Sequence, residues 1–177
     1  MIVTVFAGSR LSSDSAIIDG ARRVGLLCTQ LHHTLAFGGT GQGLMSVAAK
    51  ATLDSGGIVL GVYCDSLYAV EPPMAGLTRM ESFPTLAARR SRLIEVADLI
   101  VALPGGVGTL DEFFEAVALR SLGLLNAEVV LLNLNGFFDP LIAQIDLQRR
   151  GGLMPADADW IRICQTPEEV FRLPDQG

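Results

Sequence analysis

The sequence predicts an α/β fold, a single-domain Rossmann-like three-layer arrangement with a mostly parallel sheet of about seven strands and helices on both faces. Three observations carry that expectation. Short apolar runs alternate with helical patterns along the chain, as repeated strand-helix units do. Several runs are rich in Val, Ile and Leu without strict alternation, which suits strands covered on both faces. Three of them end in glycine or serine (AGSRLSS, FGGTGQG and LPGGVGT), at the carboxyl ends where open parallel sheets bind ligands.

In chain order, the runs read as strands are Ile2 to Ala7, Thr34 to Phe37, Ile58 to Tyr63, Leu77 to Met80, Asp98 to Leu103, Val129 to Asn133 and Trp160 to Cys164. The helical patterns between them are Asp14 to Leu31, Gly43 to Ser55, Thr85 to Ala97, Leu110 to Gly123, Pro140 to Arg150 and Pro167 to Leu173. GLMSVAAKATL in the second is an ordinary amphipathic repeat. The third carries the apolar stripe Leu86, Leu93, Ile94, Val96 and Ala97, and the fourth the stripe Leu110, Phe113, Phe114, Val117 and Ala118. The sixth opens on Thr166-Pro167-Glu168-Glu169, a capping box with proline at the first helical position. The longest connection, Cys64 to Gly76 with Pro72 and Pro73, is expected to be a mobile segment. No repeat, linker or charge run divides the chain, so one nucleotide-binding α/β domain over residues 1–177 is expected.

Composition narrows the function classes. With 177 residues, 50% of them hydrophobic and 18% charged, the chain can bury a substantial core. The longest apolar stretches fall far short of the roughly 20 residues of a membrane span. MIVTVFAGSR lacks the basic region of a signal peptide, so a cytosolic protein is expected. Cys28, Cys64 and Cys164 are scattered and odd in number, which argues against a disulfide framework, and with His32 and His33 they offer no metal spacing. A net charge of -6 without a basic stripe argues against nucleic acid as a partner. Of 13 basic residues, Lys50 is the only lysine. A pyridoxal Schiff base would have to form on it, although it lies at the far end of an ordinary helix.

The sharpest segment is LPGGVGTLDE, Leu103 to Glu112. Glycines this dense between a buried strand and a helix start let backbone N–H groups converge on an anion, and the helix dipole adds attraction. Gly38-Gly39-Thr40-Gly41-Gln42-Gly43 repeats the arrangement and suggests a second nest. Neither is a Walker loop or a G-x-G-x-x-G fingerprint. The bland alternative is that both serve only tight turns. Glu112 has a bland alternative too, since Thr109-Leu110-Asp111-Glu112 matches a capping box. Its place one turn from the glycines favours a carboxylate facing whatever the phosphate carries. Arg89 and Arg90 project inside the apolar arc of their helix, where arginine is rarely left unpaired. A partner anion is expected, either Glu112 or a ligand phosphate.

Together these residues resemble the Lonely Guy family, the cytokinin riboside monophosphate phosphoribohydrolases and their bacterial relatives. The likeness runs from VFAGSR through FGGTGQGLMS and RRSRLIEVADLIVALPGGVGTLDEFFE to LLNLNGFFDPL. It implies a hydrolase that cleaves the N-glycosidic bond of nucleoside 5'-monophosphates without a metal or organic cofactor, giving free base and ribose 5-phosphate. Arg89 and Glu112 match the family's catalytic pair, and Gly105, Gly106, Gly108 and Thr109 its phosphate turn. Arg90, Gly8, Ser9, Gly39 and Gly41 are expected to support phosphate binding. Where the family has Met-His-x-Arg-Lys, this chain has Leu86-Ala87-Ala88-Arg89-Arg90, and the family's tryptophan and glutamine fall at Leu119 and Ser121. Leu86, Leu119 and Ser121 are therefore expected on the base side, and the family's plant-hormone specificity does not transfer. A carrier that binds a phosphorylated nucleotide or cofactor without cleaving it is the alternative. Leu119 and Leu122 fall opposite the apolar stripe of their helix and, with the resemblance, imply a homodimer.

Overall fold

A computed structural model describes residues 1–172. Seven strands form one sheet in which every pairing is parallel. They are β1 (Ile2–Phe6), β2 (Thr34–Phe37), β3 (Ile58–Cys64), β4 (Arg79–Phe83), β5 (Leu99–Ala102), β6 (Glu128–Leu132) and β7 (Arg162–Cys164), in the spatial order β4-β3-β2-β1-β5-β6-β7. The helices are α1 (Ser15–Gln30), α2 (Gly43–Asp54), α3 (Leu86–Glu95), α4 (Val107–Ser121), α5 (Asp139–Arg150) and α6 (Pro167–Val170). The chain winds outward from β1 to β4, then returns to place β5 on the other side of β1. The loops after β1 and β5 therefore diverge at a topological switch point, where a crevice is expected.

The unbroken apolar runs have the predicted cause. Val3, Val5, Val101 and Leu103 face a core built with α1, α2 and α6, while Phe6, Ile100, Ala102 and Val129 face a second core under α3, α4 and α5. Both faces of the central strands are covered, so no polar alternation survives. α1 and α2 touch closely: a Cβ at Gly25 would lie 2.2 Å from the Ala48 carbonyl oxygen, and Thr52 Oγ1 donates to the Gly25 carbonyl at 3.1 Å.

Some boundaries differ from the sequence reading for physical reasons. The fourth strand, expected over Leu77 to Met80, runs over Arg79–Phe83. It is an edge strand, half-covered and mixed in polarity, so the apolar run marks the approach rather than the strand. The seventh strand is shorter than Trp160 to Cys164, because only Arg162–Cys164 pairs with β6. α4 begins at Val107, three residues before the expected Leu110, with Gly106 as its N-cap. The last helix does open on the Thr166 cap, whose hydroxyl accepts from the Glu169 N–H at 3.4 Å. It ends at Val170, and the expected end at Leu173 lies outside the described residues.

Candidate active site

The early start of α4 removes the capping role from Glu112. With Gly106 at the N-cap, the first intrahelical bond runs from the Leu110 N–H to the Gly106 carbonyl at 3.2 Å. Thr109 is inside the helix and Glu112 is a full turn beyond any capping position. No side chain caps this end. The N–H groups of Val107, Gly108 and Thr109 precede the first helical bond, which leaves them free to meet an anion.

The glycines of the turn divide into two kinds. Gly105 is required by packing, since a Cβ there would lie 2.1 Å from Thr109 Oγ1 and 2.7 Å from the Gly8 nitrogen. Gly106 and Gly108 are not, because a Cβ on either would meet nothing within 4 Å and neither has positive φ. They leave backbone bare toward open space. That space is what a ligand would occupy.

Arg89 is held from three sides at the amino-terminal half of α3. Its Nε donates to the Val62 carbonyl at the end of β3 at 3.2 Å, and Nη1 meets Glu112 Oε1 at 3.2 Å. The remaining terminal nitrogen packs on Gly38, where a Cβ would lie 1.8 Å away. The helix itself is fixed by the Thr85 cap, by Thr4 Oγ1 donating to the Leu93 carbonyl at 2.9 Å and by Arg92 gripping Glu81. Both side chains of the Arg89–Glu112 pair are 11% exposed. Burial pushes the Glu112 carboxyl up to about 7 although Arg89 and Arg90 pull it down. The carboxyl thus exchanges a proton near neutrality while keeping a fixed orientation.

Arg89, Glu112, Ser9, Gly106, Gly108 and Thr109 line one cavity of about 270 Å³, to which Leu67 and Glu71 of the segment after β3 also contribute. Ser9 and Gly106 are shared with a wider crevice of about 620 Å³ at the switch point, between the loops after β1 and β5, where Phe137 lies on the rim. Gly8 ties these loops together: its N–H donates to the Pro104 carbonyl at 3.1 Å and its carbonyl accepts from the Leu44 N–H at 2.8 Å.

Several expected site residues do other work. Gly39 and Gly41 do not line this cavity. The Gly41 N–H is committed to the Pro72 carbonyl at 3.3 Å, and the Gly39 carbonyl to the Met74 N–H at 2.8 Å. Those bonds, with a Thr40–Pro73 bridge, fasten the Cys64 to Gly76 segment to the loop after β2. The expected second nest and the expected mobile loop are thus two halves of one clasp. Arg90 does not face the glycine turn. Its guanidinium reaches across to Asp111, at 2.5 Å, and to Glu115 on α4, so these two carboxylates are its partner anions where Glu112 or a ligand phosphate was expected. Leu86 is exposed at the start of α3. Leu119 is half-buried against the second core, and Ser121 donates back to the Ala118 carbonyl at 2.8 Å. Neither lines the cavity, because at about 1.5 Å rise per residue they lie roughly 10 Å or more along α4 from Glu112. Val62 and Glu71 escaped sequence reading, since the first meets Arg89 through its backbone carbonyl and the second sits in an irregular segment.

Known proteins resemble this chain over most of its length. The family model described as "Possible lysine decarboxylase" matches residues 45–173. Over 168 residues the chain is 36% identical to the cytokinin riboside 5'-monophosphate phosphoribohydrolase of Rhodococcoides fascians, covering 94% of this chain and 85% of that one. The chain belongs to the Lonely Guy family. A second relative in the family, the cytokinin riboside 5'-monophosphate phosphoribohydrolase LOG of Oryza sativa subsp. japonica, is 32% identical over 161 residues, or 91% of this chain and 66% of its own. Among solved structures, the molybdenum cofactor binding protein of Rippkaea orientalis superposes with a TM-score of 0.70 at 21% identity, over 94% of this chain and 90% of that chain. At that identity the likeness establishes the shared fold alone. The decarboxylase description of the family finds no amine here. Lys50, the only lysine, is exposed on α2 and lines grooves beside Asp54, outside the Arg89–Glu112 cavity.

Proposed function

We propose that this chain is a phosphoribohydrolase that cleaves nucleoside 5'-monophosphates to a free base and ribose 5-phosphate. The observation that carries it is the buried Arg89–Glu112 pair opening on the same cavity as the unbonded N-terminal amides of α4. The 5'-phosphate sits on the Gly106–Thr109 backbone, with Ser9 beside it. Anchoring one end of the ribose brings its anomeric carbon toward Glu112. As the carbon–nitrogen bond breaks, its electron pair leaves with the base, which gains a proton from water. The sugar becomes oxocarbenium-like, and the Glu112 carboxylate stabilises it and takes a proton from the water that bonds to the anomeric carbon. Arg89 orients that carboxylate. The relatives named as cytokinin riboside 5'-monophosphate phosphoribohydrolases support this reading.

The test is incubation with a panel of nucleoside 5'-monophosphates, with separation of base from nucleotide. Release of base and equimolar ribose 5-phosphate is expected. Tight binding without release would mark a carrier of a phosphorylated ligand instead.

The chain acts as a cytosolic homodimer in this reading, with no nucleic-acid or membrane partner. Three free, buried cysteines suit a reducing compartment. Among the described residues no helix is long and apolar enough to cross a membrane. The surface assigned to the contact keeps Leu122 but not Leu119 of the pair read from the sequence. Phe114 and Ala118 point outward rather than onto the sheet, and Leu119 points inward. Phe114 and Leu153 line a groove of about 250 Å³ between α4 and α5, and Leu122 at the end of α4 is exposed as well.

A further inference from the structure

The two helices that carry the Arg89–Glu112 pair are joined by few polar links. Among the described residues these are Arg89 with Glu112, and Arg90 with Asp111 and Glu115. Arg90 Nη1 meets Asp111 Oδ2 at 2.5 Å, and its Nε pairs with Glu115 Oε2. Asp111 directly precedes Glu112, and Glu115 follows it by three residues, the spacing of neighbours on adjacent helical turns. One guanidinium thus bridges the carboxylates on either side of the residue that faces the cavity. Arg90 does not itself line that cavity, so contact with a substrate does not account for it.

We propose that Arg90 is a positioning residue that neutralises Asp111 and Glu115, so that Glu112 can act in its ionised form. In the phosphoribohydrolase reading, on which this rests, Glu112 must be a carboxylate to stabilise the sugar cation and accept a proton. Three carboxyl groups lie within five residues here, and like charges that crowd together favour a proton on the most buried of them.

The charged groups around Glu112 are Arg89 and Arg90 from α3, Asp111 and Glu115 on its own helix, and Glu71 from the segment after β3. Ala7, Ser9 and Met45 on the remaining walls carry no charge. Burial raises the Glu112 carboxyl most, Arg89 and then Arg90 lower it, and Asp111 and Glu115 raise it further. Arg90 Nε and Glu115 Oε2 are closed off from water, so solvent screens that contact little. The fork matters as well as the charge. A lysine ammonium is one compact charge, whereas a guanidinium can hold two carboxylates from separate nitrogens.

The experiment records kcat and KM for AMP against pH for wild type, Arg90→Gln, Arg90→Lys and the double variant Asp111→Asn with Glu115→Gln. The Glu112 carboxyl is titrated in parallel by carbon-13 NMR, its signal assigned by its loss in Glu112→Gln. Arg90→Gln should move the acid limb of kcat/KM and the Glu112 titration upward by at least about half a pH unit. At pH values above the new limb, kcat and KM should both return to within about twofold of wild type. The double variant removes the repelling charges and leaves Arg90 unpaired, so both readouts should move downward. Arg90→Lys keeps the charge without the fork, and its limb should lie between those of wild type and Arg90→Gln. An ion pair of purely structural value would lower the melting temperature of these variants and move neither pH readout, which overturns the assignment. A KM raised at every pH in Arg90→Gln, with the limb unmoved, would make Arg90 a phosphate contact and overturns it too. The titration is read without turnover, so shifts of opposite sign in a chain that releases no base would sink the hydrolase reading and keep this one. Base release by a chain whose Glu112 titration ignores these substitutions would do the reverse.

Discussion

Burial and the Arg89 guanidinium pull the Glu112 carboxyl in opposite directions, and the proposed mechanism makes activity depend on their balance. Burial raises the carboxyl, while the guanidinium at 3.2 Å favours the charged form, and the result is about 7. Since the carboxylate is the form that stabilises an oxocarbenium ion and accepts a proton from water, kcat/KM should fall on the acidic side of about pH 7. Glu112→Gln keeps the size and an acceptor for Arg89 but cannot take a proton. Turnover should drop at least about a hundredfold. The same shift has a stability consequence of opposite sign to that of most carboxylates. An unfolded glutamate releases its proton near 4.5, whereas the folded one holds it to about 7, so the folded state binds more protons between those values. This group's contribution to stability is therefore fully present below pH 4.5 and is lost as pH rises to about 7. Melting temperatures of wild type and Glu112→Gln, taken across that window, should diverge by a few degrees, with the glutamine variant the more stable at pH 8. Parallel melting curves would show that Glu112 is not protonated in the folded chain near neutrality.

At the scale of elements, the amino end of α4 is where the sequence says most, yet its boundary is misleading. LPGGVGTLDE shows its glycines openly, but the apolar periodicity begins at Leu110 and hides the first helical residues, Val107 to Thr109, which carry the free amides. The central strands were legible because burial on both faces leaves a continuous apolar signature. β4 was not, because an edge strand obeys a weaker rule. The glycines after β2 show a related limit of the sequence signal. Glycine density reports where backbone must be bare, but not whether the neighbour is a ligand or another loop, and at Gly39 and Gly41 the neighbour is the clasp around Pro72 and Met74. Two tests follow from this division. If the amides of α4 hold a phosphate whose binding energy positions the sugar, AMP should exceed adenosine in kcat/KM by at least about a hundredfold. A Cβ at Gly108 meets no protein atom, so Gly108→Ala should leave the melting temperature nearly unchanged while weakening ribose 5-phosphate binding measurably. Loss of stability without loss of binding would return Gly108 to a structural role.

For the molecule as a whole, α4 is the element through which the proposed dimer would act on the site. Its inward face places Thr109, Glu112, Phe113, Ala116 and Val117 under cover, and Glu112 among them faces the cavity. On the opposite side, Phe114 is 41% exposed and Leu122 is 70% exposed, with Leu153 after α5 more exposed still. Exposed leucines alone are ordinary on protein surfaces. Here Leu153 lines a groove together with the Phe114 ring, and the ion pairs of Arg90 with Asp111 and Glu115 lie near the amino end of the same helix. An apolar centre with charged margins is what a two-fold contact between copies of one chain requires. Because α4 carries Glu112, a partner packed on its outer face would also restrain the helix that orients the carboxylate. Light scattering at micromolar concentration should give the mass of a dimer for wild type. Phe114→Glu combined with Leu122→Glu should shift that mass to a monomer and lower kcat/KM in parallel. The melting temperature of the monomer should stay within a few degrees of wild type, since neither side chain belongs to a buried core cluster. A dimer that survives both charges would place the contact elsewhere on the surface. A monomeric variant with full activity would separate assembly from catalysis.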